Sequence, residues 1–229
     1  MWVSRPRAGF DTETTGVHIA QDRIVTAAFI TSTNGDMHRR TWLANPGIPI
    51  PQAAAAVHGI STEQAQRDGR AACEVVAEVA EAVAAHMLAG NPLVVYNATY
   101  DLSLLDAELH RYHLPSLTDR LGPSSTWPVI DPYMLDRYVD RFRRGPRKLI
   151  NLAQHYQLSL DETFHDASGD VIMTLRVLDA MVERYPRLAQ MSLADLHAAQ
   201  RSAYEDFMAF IQRRYPSSEP RGWPIVSPA

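Results

Sequence analysis

Residues 10 to 16 read Phe-Asp-Thr-Glu-Thr-Thr-Gly, and this heptad constrains the chain more than any other stretch. Asp11 and Glu13 alternate by two, so on a β-strand both carboxylates project from one face. Like charges set side by side on a strand repel and add nothing to stability. A divalent cation removes that objection, because hard cations such as Mg²⁺ take carboxylate oxygens as ligands. Gly16 allows a sharp turn out of the strand. Without a cation the same residues would be only a solvated acidic strand end, and two further carboxylates downstream argue against that.

The second informative element is Tyr96-Asn97-Ala98-Thr99-Tyr100-Asp101. The apolar run Pro92-Leu93-Val94-Val95 before it reads as a buried strand, and Leu102, Leu105 and Leu109 after it recur at helical spacing. Asp101 therefore falls at a strand-to-helix junction, where α/β folds often carry active-site groups. Alone it would be a plain helix-starting acid. The third element, His165-Asp166-Ala167-Ser168-Gly169-Asp170, opens a helical pattern running through Ile172, Leu175, Leu178 and Met181. A His at that helix start can serve as a general base while Asp170 ligates a metal from the helix.

In this order the three elements resemble the DEDD 3′-5′ exonucleases, in the branch with a catalytic His (DEDDh). That branch includes the proofreading subunit of bacterial DNA polymerase III and ribonuclease T. The likeness covers roughly residues 8 to 185, and His58-Gly59-Ile60-Ser61 resembles the family's His-Gly-Ile-Thr segment. The resemblance implies a phosphodiester hydrolase that shortens single-stranded nucleic acid from its 3′ end and releases 5′-nucleoside monophosphates. Asp11, Glu13, Asp101 and Asp170 would hold two divalent ions, Mg²⁺ or Mn²⁺, and His165 would take the proton of the attacking water. Carboxylates suit those ions, whereas zinc would call for Cys and more His. Substrate contacts are implied at Thr12, Thr14, His58, Ile60 and Asn97.

DNA is the favoured substrate, and an RNA-trimming enzyme of the same family is the alternative. The discriminator is whether the terminal pocket accepts a 2′-hydroxyl. Proofreading beside a polymerase, DNA repair and free-standing trimming all stay open. A non-catalytic 3′-end-binding scaffold is the rival of another class, but such proteins usually lack a metal ligand, and here all four acids and the His are present. Two departures from the family stand out. Tyr96 occupies the place of a common His, and the strand before the heptad reads Ser4-Arg5-Pro6-Arg7, which predicts a strand starting near Ala8.

The wider pattern implies a ribonuclease H-like α/β fold, with a mixed central sheet of three antiparallel strands plus βα units, flanked by helices. Arg23 to Thr31 is β-rich, Thr33-Asn34-Gly35-Asp36 is a hairpin turn signal, and Met37 to Leu43 returns as a strand. A helix over 71–88 and a strand over 127–130 follow. Asp131 caps the helix after Pro132 and is no fifth ligand. The division expected is an exonuclease domain over 1–185 and a C-terminal amphipathic helix with a Pro-rich tail over 186–229, the tail extended or loosely packed.

That C-terminal helix could fold back on the domain, pair with a second copy, or bind a DNA polymerase. Gln190-Met191-Ser192-Leu193 faintly resembles a sliding-clamp-binding peptide, although a helix-capping role fits it better. Cys73 alone excludes an intramolecular disulfide and reads as a buried thiol. The chain has no apolar stretch of membrane-spanning length and no signal peptide pattern, so a cytoplasmic protein with no membrane partner is expected. A net charge of −4 is unusual for a duplex binder, but an enzyme gripping one chain end needs only a local basic patch. Arg137, Arg141, Arg143, Arg144, Arg147 and Lys148 supply the best one.

Overall fold

Strand β1 (Arg7–Thr14) lies inside the sheet and is paired along its whole length by β2 (Ile24–Thr33), which β3 (Asp36–Asn45) pairs in turn, both antiparallel. The computed structural model describes residues 1–33, 35–122, 127–160, 167–216 and 222–226. After β3 come α1 (Gln52–His58), α2 (Thr62–Asp68) and the two-residue β4 (Arg70–Ala71). The long α3 (Ala72–Leu88) leads to β5 (Leu93–Val94), which runs parallel to β1, and then to α4 (Ala98–Arg111). The chain continues through α5 (Leu117–Leu121), β6 (Val129–Ile130), α6 (Pro132–Val139), α7 (Leu149–His155), α8 (Ala167–Arg184), α9 (Arg187–Gln190) and α10 (Leu193–Arg214).

The sheet order is β4-β3-β2-β1-β5-β6, a mixed sheet with the three antiparallel strands and parallel βα units expected of a ribonuclease H-like fold. Alternation along the strands sends residues to two separate cores. Ala8, Phe10, Ala27 and Phe29 pack with α3 and α4 on one face. Ala28, Ile30, Val94 and Ile130 pack with α7 and α8 on the other. The sheet is thus covered on both sides, as a mixed sheet with crossover helices requires.

Three sequence expectations change here. Cys73 is exposed, because the buried stripe of α3 runs through Ala72, Val75, Val76, Val79 and Val83, and position 73 falls off its edge. The strand expected over 127–130 reduces to Val129–Ile130. The tail is not loose where it is described: Trp223 is buried with its ring 5.0 Å from that of His197, and the Val226 N–H donates to Ser103 Oγ at 2.8 Å. The C-terminal helix folds back on the sheet. Gln200 of α10 donates to the Val129 carbonyl at 3.1 Å and accepts from the Asp131 N–H at 2.6 Å, satisfying the outer edge of β6.

Candidate active site

The pleat of β1 decides which side chains can meet. Gly9, Asp11 and Glu13 share the face toward α8. A β-carbon at Gly9 would sit 2.5 Å from Val171 Cγ1 and 3.3 Å from Leu175 Cγ, so glycine is what lets α8 lie against the strand. Asp170 immediately precedes Val171 and is carried in with it. Carboxylate oxygens of Asp11, Glu13 and Asp170 come within 4.8 Å of one another, all three half-buried. Their crowded charge and hard oxygen donors fit a divalent cation.

Asp101 reaches β1 from the opposite side. It is buried on α4 and accepts from the Thr12 N–H at 3.1 Å and the Thr12 hydroxyl at 2.6 Å. The structure therefore gathers three of the four acids in one cluster and holds the fourth on the strand between them. Removal from water pushes the Asp101 carboxyl up to about 7; the Thr12 donors oppose that rise and the charge of Asp131 adds to it. The register of β1 against β2 slips between Glu13 and Thr14, the kind of irregularity that re-aims side chains beside active sites.

The family described as "Exonuclease", of the RNase T type, matches residues 8–178. The chain belongs to the exonuclease family. A DNA polymerase III subunit epsilon-like protein of Rhodobacter capsulatus is 34% identical over 188 residues, covering 76% of this chain and 24% of that protein. The DNA polymerase III subunit epsilon of Treponema pallidum is 26% identical over 180 residues, 78% of this chain and 77% of its own. Among solved structures, Escherichia coli exonuclease I in complex with a dT13 oligonucleotide superposes with a TM-score of 0.65 at 17% identity, covering 81% of this chain and 43% of that one. The chain thus spans about a quarter of the first of these relatives and less than half of exonuclease I.

Within this exonuclease fold, the turn after the heptad is held by a small polar lattice. Thr14 Oγ1 lies 2.6 Å from the Gly16 carbonyl and 2.9 Å from the Tyr100 hydroxyl, whose pKa burial raises to about 12. Gly16 owes its place to close approach and not to a left-handed backbone: a β-carbon there would meet the Asp22 carboxylate at 2.6 Å. Asp22 accepts from Thr15 Oγ1 at 2.8 Å and from the His18 N–H at 2.7 Å. Below the turn, the wholly buried Glu108 of α4 pairs with Arg111, and Arg23 lies 3.8 Å away. These contacts fix α4 to the loop leaving β1.

The substrate-side expectations separate. The hydroxyls of Thr12 and Thr14 are both engaged within the protein. His58 ends α1, accepts the Ile60 N–H on Nδ1 at 3.2 Å, and has its pKa lowered by burial, with the Thr14 backbone opposing the drop. The heptad and the segment His58-Gly59-Ile60-Ser61 therefore share one neighbourhood. Ile60 is half-buried against the cluster of Val25, Ile50 and Ala65. Asn97 is exposed and left-handed, at φ 58°, ahead of α4. His165 lies outside the described residues.

Two features were invisible in the sequence. Asp131 does cap α6, accepting from the Tyr133 N–H at 2.9 Å, but its buried carboxylate also accepts the Asn97 and Ala98 N–H groups at 3.0 and 3.1 Å. It thereby clamps the start of α4, the helix that carries Asp101, and burial raises its own pKa to about 6. No short-range pattern links positions 34 residues apart. The second concerns the basic patch. Arg143 and Arg147 both pair with the buried Asp136, and Arg137 stacks 3.6 Å from the Phe207 ring centroid. Half of the expected patch thus holds the fold together, with Arg144 and Lys148 left exposed.

Proposed function

We propose that this chain is a metal-dependent 3′-5′ exonuclease acting on single-stranded DNA ends. The observation carrying this reading is the convergence of Asp11, Glu13 and Asp170 within 4.8 Å on the face of β1 met by α8. These three would hold one cation, Mg²⁺ or Mn²⁺, and Asp101 would complete the set for a second. Such ions, when bound, supply the positive charge that activates water and offsets the charge on the departing 3′-oxygen. His165, five residues before Asp170 in the sequence, takes the proton of the attacking water. Asp131 keeps the start of α4 in place, and Thr12 orients Asp101.

Asn97 and the exposed part of Ile60 are the side chains offered to the terminal nucleotide, with His58 and Thr14 beside them. The relatives' names, DNA polymerase III epsilon and exonuclease I with bound dT13, support DNA as substrate and a proofreading or repair setting. The clamp-like segment serves the fold instead: Met191 and Leu193 pack on the core, and the Ser192 hydroxyl caps α10. The test is digestion of matched 5′-labelled DNA and RNA oligomers with Mg²⁺, Mn²⁺ or EDTA, with Asp11→Ala alongside. A metal-dependent ladder shortening from the 3′ end, absent in the variant, is the expected result, with DNA cut faster. Cleavage that persists in EDTA or in the variant would overturn the reading.

A further inference from the structure

A groove of about 940 Å³ runs between α10 and the 140–147 loop. Its lining includes five arginines, Arg137, Arg141, Arg143, Arg147 and Arg213, against one acid, Asp206. Setting the buried Asp136 against this group still leaves an excess of positive charge, on a chain whose net charge is −4. Three phenylalanines also line it, and two of them are far from core-like: Phe142 is 88% exposed and Phe210 54% exposed. Large apolar side chains left in water beside cations are unexplained by folding.

Arg147 borders a second hollow of about 430 Å³, lined by Tyr96, Asn97, Tyr133 and Lys148 as well. The Tyr96 hydroxyl donates to the Arg147 carbonyl at 2.6 Å, so the loop forming the groove is bonded to the short segment between β5 and α4, just ahead of the helix that carries Asp101. The two hollows share Arg147, and together they make a basic track with Asn97 lining its second part. Exposed aromatics supply faces on which bases stack, and arginines along a groove track phosphates.

We propose that this track holds the single-stranded segment that precedes the 3′ end, with bases stacked on Phe142 and Phe210 and phosphates on Arg141, Arg213 and Lys148. The inference rests on the exonuclease reading above and adds the path of the strand away from the site. An acidic peptide would also suit a basic groove, but the place of Asn97 in the lining favours the strand whose end is being cut. The track makes affinity depend on length: a dinucleotide occupies the metal site alone, and a long strand gains the groove.

The experiment uses the full chain and two double variants at exposed positions, Phe142→Ala/Phe210→Ala and Arg141→Gln/Arg213→Gln. Binding of a fluorescent long oligothymidylate is measured by anisotropy in EDTA over a salt series, and KM is measured with Mg²⁺ on that oligomer and on a dinucleotide. The phenylalanine pair should weaken binding of the long strand by roughly tenfold or more, as loss of base stacking predicts. The arginine pair should reduce the slope of log affinity against log salt by about 1.4, for two lost phosphate contacts. In both, the rise in KM should be confined to the long strand. Unchanged affinity for the long strand, or equal losses on the dinucleotide, would overturn the proposal. Weakened binding by the variants of a wild type that cleaves nothing would support the track and sink the exonuclease reading instead.

Discussion

Two corners of this molecule handle acidic side chains in opposite ways. At the end of β1, three carboxylates from two elements are drawn toward one another, within 4.8 Å and half-buried. Under α6 a single carboxylate, Asp136, is fully buried and is itself surrounded: Arg143 and Arg147 pair with it, and the Tyr156 hydroxyl stands 3.4 Å away. The second arrangement is what a fold needs, since a buried charge must be paired. The first opposes folding, because like charges are collected instead of dispersed. Three like charges gathered on one face suit a cation, the ligand that turns their repulsion into binding.

Substitutions on the two sides should therefore fail differently. Asp11→Ala should abolish cleavage while leaving the melting temperature in EDTA no lower than that of the wild type. A large drop in melting temperature would erase the contrast between the corners. His165→Ala should lower kcat by roughly 10²–10⁴ with metal affinity largely retained, as loss of a general base predicts. Calorimetric titration with Mn²⁺ would make His165 a ligand if affinity fell in proportion. Asp136→Ala should cost about 3–5 kcal/mol in a denaturant melt, because it strands two guanidinium groups, one of them buried. A loss below about 1 kcal/mol would reduce that pair to a surface contact.

Smaller effects sharpen the comparison. Gly9→Ala should cost about 1–3 kcal/mol through overpacking against the stiff Val171 side chain, and it should weaken Mn²⁺ binding because Asp170 rides on the displaced helix. Unchanged metal affinity would show that α8 position and site geometry are uncoupled. The least effect is a pH trend. Asp101 and Asp131 have folded-state pKa values raised to about 7 and about 6, so the folded protein holds protons that the unfolded chain releases near 4. Their contribution to metal-free stability is present at low pH and is lost as pH rises from about 4 to about 7. Melting in EDTA at about pH 5.5 and about pH 7.5, either side of the midpoint of these two values, should show wild type losing more than Asp101→Asn. Mg²⁺ should stabilise the wild type more at the higher pH, since the ion competes with the proton.

Much of the fold and the placement of all four acids on their elements were legible in the sequence because their signals are local. Asp11 and Glu13 announce a shared face by alternation, Asp170 by its place near the start of a periodic helix, and Asp101 by the strand-to-helix switch around it. Legibility stopped where contact depends on the third dimension. Nothing near Asp131 says that its carboxylate reaches back to the N–H groups of Asn97 and Ala98. The arginines at 143 and 147 read as part of a local basic patch because the acid they neutralise, Asp136, is buried on the preceding helix. Gly16 was legible as the place where the chain turns out of β1, but the Asp22 carboxylate pressed against it was not. The fate of Cys73 turned on which side of α3 the helical stripe fell.

The bonds from Gln200 to the backbone of β6 carry a consequence for where this protein can be divided. The family match ends at residue 178, yet β6 is the last strand of the sheet, and the amide of Gln200 serves there in place of a neighbouring strand. A fragment trimmed to the matched region would bare that edge and the apolar surface under α10 together. An uncovered edge is a template on which strands of other chains can add, so such a fragment would be prone to aggregate. The contacts that cover the sheet thus extend past the residues of the family match, and α10 serves the sheet on one side while its other side lines the groove.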